Sequence, residues 1–145
     1  MKMMRRDLLL CSTVAAVGSV VAASAAAQGN THHHEGGSPL IDAALNCVKA
    51  GEICQAHCFD LFAQGDNSVA ACARSVAVMK PVVIALSEMA AQKSPLLARY
   101  AAVCADVCRS CEDECRKHAD KHAPCKACME SCAACARECA RVAAS

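Results

Sequence analysis

The chain has 145 residues, a net charge of +1, and 14 cysteines beside only three aromatic residues, Phe59, Phe62 and Tyr100. That length suits one domain. The charge is close to balanced, about −1 once Lys2, Arg5, Arg6 and Asp7 leave with a leader, and this excludes an electrostatic affinity for nucleic acid or a membrane surface. Abundant alanine and short β-branched runs favour helix over sheet.

Residues 1–27 read as an export signal. Met1 to Arg6 is basic, Leu8 to Val21 is apolar, and Ala25-Ala26-Ala27 offers small residues for cleavage. Arg5-Arg6 followed by Asp7-Leu8-Leu9 resembles a twin-arginine leader; an ordinary secretory leader is the alternative. The expected location is extracytoplasmic, in the periplasm or its equivalent. Leu10 before Cys11 is a poor lipobox residue, so no lipid anchor is expected, and loss of Cys11 leaves thirteen cysteines. Residues 28–37 form a glycine-containing linker with His32-His33-His34. It is either a solvated terminus or a loose Cu(II) or Zn(II) binder.

Residues 38–145 carry four predicted helices. The first has Ser38 as N-cap and Pro39 at N1, and runs to about Ala63, before Gly65. Its Cys47, Cys54 and Cys58 fall within an arc of roughly 40°. Gly51 lies on that stripe and is expected to leave space for something other than a side chain. The second helix runs from after Asp66 or Asn67 to about Gln92, with an inner stripe of Cys72, Val76, Met79, Val83 and Leu86. Pro81 is expected to bend it without ending it. Val78, Val82 and Ile84 face away from the stripe, so this helix is a candidate subunit interface. The third opens with Ser94 as N-cap and Pro95 at N1. The fourth opens with Pro124 at N1 and runs nearly to the C-terminus.

The last two helices hold nine cysteines, Cys104, Cys108, Cys111, Cys115, Cys125, Cys128, Cys132, Cys135 and Cys139, spaced by threes and fours. They occupy arcs of about 60° and 80°, the width of a buried bundle seam. Asp106, Arg109, Glu112, Arg116, Lys126, Glu130 and Arg137 take outward positions. The rhythm continues through His118 and His122 if the third helix extends that far. Connections of roughly three to five residues make an antiparallel up-down-up-down four-helix bundle with a cysteine-lined core. Imidazoles then gather at the end where the first and third connections lie.

Several chemistries use buried thiols. Structural disulfides fit poorly, because the count is odd and cysteines one turn apart on a helix have badly directed Cβ vectors. Zinc needs four tetrahedral ligands, as Cys111, Cys115, Cys125 and Cys128 would offer, but not a whole lined core. The ferredoxin spacing for iron–sulfur clusters is absent. Cu(I) fits best: it is soft, and bridging thiolates would hold about one ion per sulfur, or about 13 per chain. A row of thiols is a way to load many ions and does not build one open catalytic position, so no enzyme is expected. The competing enzyme reading is a cysteine oxidoreductase centred on Cys125-Lys126-Ala127-Cys128 at a helix start.

Leu45-Asn46-Cys47, Cys54-Gln55-Ala56-His57-Cys58, Ala70-Ala71-Cys72, Cys104-Ala105-Asp106-Val107-Cys108, Cys111-Glu112-Asp113-Glu114-Cys115 and Cys125-Lys126-Ala127-Cys128 through Cys139 together resemble the bacterial copper storage proteins of the exported, twin-arginine type. The resemblance spans the mature chain. It implies a four-helix bundle assembled as a homotetramer, whose core cysteines hold many Cu(I) ions as a reserve for a copper enzyme such as methane monooxygenase. It also implies that His57 takes part in copper binding near the open end. Methionines help there in the family, whereas Gln64 to Ala70 has none; by spacing, His118 and His122 replace them. Met79, on the Cys72 stripe, is either a thioether ligand or an adaptable core residue. A copper chaperone carrying one or two ions, or a zinc-thiolate structural bundle, is the alternative.

Overall fold

A computed structural model of the protein describes residues 38–145; the expected leader (1–27) and histidine-containing linker (28–37) lie outside them. Four helices follow in order: α1 (Pro39–Ala63), α2 (Ala70–Ala91), α3 (Leu97–Arg116) and α4 (Ala123–Ala143). α1 packs on α2 and α4, and α3 packs on α2 and α4, while the diagonal pairs approach only through side chains that cross the core. Short connections around such a square give the antiparallel up-down-up-down bundle.

The helix ends follow local chemistry, with some shifts from the predicted bounds. Pro39 starts α1 after Ser38, whose carbonyl, not its hydroxyl, accepts the Asp42 N–H at 3.1 Å. Gly65 takes φ +82° just past α1, and the Asp66 N–H then reaches back to the Leu61 carbonyl at 3.0 Å. Asp66 accepts the Ser68 N–H through its carboxylate at 2.9 Å, a local turn that delays α2 to Ala70. α2 continues through the exposed Pro81.

Ser94 does not cap α3 directly. The Leu97 N–H bonds to the Ser94 carbonyl at 3.1 Å, so Ser94-Pro95-Leu96 makes a separate turn before the helix. α3 stops at Arg116 and residues 117–121 are turns, so the predicted helical extension to His122 does not form. His122 is instead the extended N-cap residue of α4, and Pro124 is the second helical residue.

All thirteen described cysteines are fully buried, and among the described residues no polar or charged one is buried with them. The largest fully buried side chains are Met79, Leu86, Val69, Val76 and Val83. Leu40, Val83, Leu86 and Ala101 are the buried apolar residues toward the end holding the α1 start, the α2–α3 turn and the α4 terminus, where they cap the sulfur-lined core. Tyr100 borders it and donates its hydroxyl to the Val82 carbonyl at 3.2 Å. α2 is long and apolar enough to cross a membrane by length and composition, because it is apolar on two sides. Its inner stripe belongs to the core, while Val78 and Ile84 are exposed.

Gly51 has a different role from the expected one. A Cβ there would meet the Met79 methyl at 2.8 Å, so the glycine makes room for this thioether and not for a non-protein group. Gly51→Ala should therefore cost about 1–2 kcal/mol by overpacking, although alanine is the better helix former. In a Met79→Ala background the severe clash is gone, only the flexible Lys80 Cγ at 3.3 Å remains close, and the same change should stabilise by up to about 0.5–1 kcal/mol. Urea unfolding of the four proteins of this cycle reads the sign reversal; an unchanged sign would show that Met79 does not set the requirement for glycine.

Candidate metal centre

Thirteen helix-borne thiols meet across the bundle because the helices pair in a fixed antiparallel register. On the α1–α4 seam, Cys47 faces Cys132 at 3.6 Å and Cys54 faces Cys125 at 3.8 Å. The next position outward holds His57 and His122, whose Nε2 and Nδ1 are 2.9 Å apart. Across the bundle, Cys72 of α2 lies 3.4 Å from Cys115 of α3 and 3.8 Å from Cys54. These separations are non-bonded contacts, and the thirteen cysteines are free thiols.

The sulfurs fall into five groups in which all Sγ atoms lie within 4.8 Å of one another. From the histidine end inward these are Cys54, Cys58, Cys72 and Cys125; Cys54, Cys115 and Cys128; Cys111, Cys128 and Cys132; Cys47, Cys108 and Cys135; and Cys104, Cys135 and Cys139. Every described cysteine belongs to at least one group. Cys54, Cys128 and Cys135 each belong to two, and the Cys47–Cys132 contact joins the inner groups to the outer ones. The result is one continuous thread of sulfur along the bundle. Every group draws on more than one helix: Cys54/Cys58, Cys128/Cys132 and Cys135/Cys139, each one turn apart, share a group only together with a cysteine of another helix, while Cys104 and Cys108 on α3 belong to different groups. Cys111, Cys115, Cys125 and Cys128 likewise do not form one tetrahedral cage.

The thiol protons are shared unevenly. Cys54 is held down at about 4, chiefly because Cys115 hydrogen-bonds to its thiolate, with Cys128 and Cys72 assisting. Cys72 is lowered by Cys115 and then Cys125. Cys111 is lowered by Cys115 and Cys128, and Cys135 by Cys104 and Cys108. Their neighbours are raised: Cys115 and Cys128 by Cys111, Cys132 by Cys111, and Cys108 and Cys139 by Cys104. Burial raises Cys58, followed by the charges of Cys72 and Cys54. Cys125 is pushed up to about 11: its bond with Cys54 favours ionisation, but Cys72 and burial outweigh it. Each group thus contains at least one favoured thiolate, two in the quartet of Cys54, Cys58, Cys72 and Cys125, beside thiols such as Cys58, Cys108, Cys115 and Cys128 that are held up, since adjacent buried charges repel.

Met79 is fully buried with its Sδ 3.4 Å from the Cys47 Sγ, so it adds a thioether to the middle of the thread. Its role as packing for Gly51 and its reach to Cys47 are both realised. His118 lies with the other two histidines, its ring centroid 6.5 Å from that of His122. The sequence periodicity grouped His118 and His122 by extending α3. The structure instead brings His122 to His57 through the start of α4, a contact that only the α1–α4 register reveals. Asp66 also belongs to this end. Its carboxyl is held below the usual range, first by the Ser68 hydrogen bonds and then by the charges of His122 and His118.

A family profile described as copper storage protein matches residues 32–144. The fold is similar to that of apo-Csp3, copper storage protein 3 from Bacillus subtilis, at 28% identity and a TM-score of 0.64, covering 72% of this chain and 96% of that one. It is also similar to the Cu(I)-bound copper storage protein BsCsp3, at 30% identity and a TM-score of 0.65, covering 72% of this chain and 94% of that one. No curated protein matches the chain.

The raised thiols outnumber the lowered ones, and this sets the pH response of the metal-free bundle. Unfolded cysteines ionise near about 8.5, whereas the raised native thiols stay protonated above that value. The native state then binds more protons than the unfolded one, so stability falls as pH rises. The contributions of lowered thiols such as Cys54 are complete above about 8.5 and are lost only towards acid pH. The urea midpoint of the reduced, metal-free protein should fall between about pH 8.5 and 11; a flat or rising midpoint would contradict this proton distribution.

Proposed function

The chain belongs to the copper storage protein family, and from that premise we propose that it stores Cu(I) along the whole sulfur thread, at about one ion per core thiol, or about 13 per chain. The observation that carries this reading is that all thirteen cysteines, each fully buried, fall into overlapping groups with no isolated thiol. Shared members such as Cys54, Cys128 and Cys135 suit bridging thiolates, which let neighbouring ions use the same sulfur. We assign ligand roles to these thirteen cysteines, with Met79 as a thioether beside Cys47. His57, His118 and His122 act at the mouth, where weaker nitrogen donors favour exchange over retention.

Loading replaces thiol protons by copper, so the apparent affinity weakens as pH falls. It also supplies cohesion that a core of small side chains lacks, since a ligand bound only by the native state stabilises it. The role is sequestration, not turnover: the thiols that would react are enclosed. The exposed Val78 and Ile84 on α2 support assembly into a homotetramer through that helix. The leader pattern supports an extracytoplasmic reserve that serves a copper enzyme.

An anaerobic Cu(I) titration of the reduced protein against a competing Cu(I) chelator, with copper and thiols counted, tests the reading. A plateau near one copper per thiol is expected. A plateau at one or two ions would indicate a chaperone instead. Tight zinc binding at the single four-thiol group, Cys54, Cys58, Cys72 and Cys125, without further copper uptake, would indicate a zinc-thiolate structural bundle.

A further inference from the structure

We propose that the mouth captures Cu(II) on the His57–His122 pair and that the adjoining cysteine quartet reduces it to Cu(I), so that the bundle takes up copper in either oxidation state. This rests on the Cu(I) storage reading and adds a redox step before it.

The His57 Nε2 and His122 Nδ1 are 2.9 Å apart. Two imidazole nitrogens bound at about 2.0 Å in adjacent corners of a square stand about 2.8 Å apart. In the metal-free protein this contact is a hydrogen bond from one ring nitrogen to the other; once its proton moves to the far nitrogen of the donating ring, the pair has the spacing of two cis ligands of tetragonal Cu(II), an ion that favours nitrogen and oxygen donors. Both side chains are half-buried, with their rings tilted at 53° and their centroids 4.9 Å apart. His118 and the Asp66 carboxylate lie at the same end, so a third imidazole and a negative charge flank the pair. Soft Cu(I) has no comparable preference for such a site.

Reducing equivalents lie one helical turn inward. His57 follows Cys54 by three residues on α1, and His122 precedes Cys125 by three residues at the start of α4. Cys54 lies 3.8 Å from both Cys72 and Cys125. Two Cu(II) ions each gain one electron. Two thiols of the quartet lose two electrons and two protons, and their sulfurs join in one S–S bond. The protons pass to solvent, and Cu(II) is the only oxidant required. Closing that bond needs the sulfurs to approach by about 1.8 Å. The Cu(I) products then prefer the remaining thiolates to imidazole and move inward. Each ion admitted this way consumes one thiol as an electron donor, so unaided Cu(II) loading stops at about half the Cu(I) capacity. A dithiol that reduces the disulfide restores the remainder.

The test mixes the reduced full chain with Cu(II) chloride under anaerobic conditions, with no other reductant. Paramagnetic resonance follows the Cu(II), thiols are counted after unfolding, and peptide mass spectrometry locates the disulfide. The expected result is a transient Cu(II) signal with imidazole nitrogen couplings, decaying with the loss of one thiol per copper. The first disulfide should join Cys54 to Cys72 or Cys125. His57→Gln and His122→Gln should slow this reduction at least about tenfold more than they slow uptake of Cu(I) delivered by a chelator. Persistent Cu(II) with unchanged thiols would overturn the proposal, as would disulfides scattered over the core or equal slowing of both uptakes. Cu(I) loading is measured in parallel. If it fails, the storage reading falls; if it succeeds while Cu(II) is not reduced, only the redox step falls.

Discussion

The antiparallel register of α1 against α4 is the constraint on which the site depends. It places Cys47 against Cys132, Cys54 against Cys125, and His57 against His122. Because the side chains of one seam are fixed by helical spacing, a shift of either helix by one turn would disrupt all three pairings together. α2 and α3 then complete the groups, with α2 supplying Cys72 and Met79 and α3 supplying the partners of the α4 thiols. Packing and metal chemistry are set by the same contacts, since a cysteine in a core behaves as a small apolar side chain until its proton is lost.

That double use has an energetic consequence. Close thiols bury well when neutral, but they cannot all ionise in a low-dielectric interior. The metal-free bundle resolves this by concentrating thiolate character on Cys54, Cys72, Cys111 and Cys135, while their neighbours retain protons and hydrogen-bond to them. A monovalent soft cation neutralises a thiolate where it binds, so under the proposed function each ion removes the repulsion that would oppose the next ionisation. A single zinc ion could satisfy only the four-thiol group, and the deeper sulfurs would still be held together by protons.

Much of this was legible from the cysteine spacing. The three–four rhythm located the buried seam on every helix, and all thirteen sulfurs are buried as that rhythm required. Periodicity along one chain cannot show which helix pair brings two residues together. His122 illustrates the limit: its spacing from Cys115 and His118 suggested one long helix, but α3 ends at Arg116 and His122 reaches the mouth as the N-cap of the next helix. Gly51 is similar. Its place on the stripe was evident, but its use as room for Met79 depends on the local approach of α2. The helix starts failed for another reason: at Asp66 and Ser94, side chains and carbonyls engage their own turns before the helix begins.

The two ends of the bundle differ in chemistry, and that difference gives the thread a direction. At one end, beyond Cys104 and Cys139, the buried side chains of Leu40, Leu86 and Ala101 form an apolar plug that offers no donor to a metal ion. At the other, the sulfur thread meets imidazoles that are half-buried and therefore reachable from solvent. An ion leaving the thread through the plug would have to lose its ligands in an apolar medium, where uncompensated charge is costly. At the histidine end it can exchange one donor for another at every step. Under the proposed function that asymmetry assigns uptake and release to the same mouth, and a donor series from nitrogen to sulfur favours the inward direction for Cu(I).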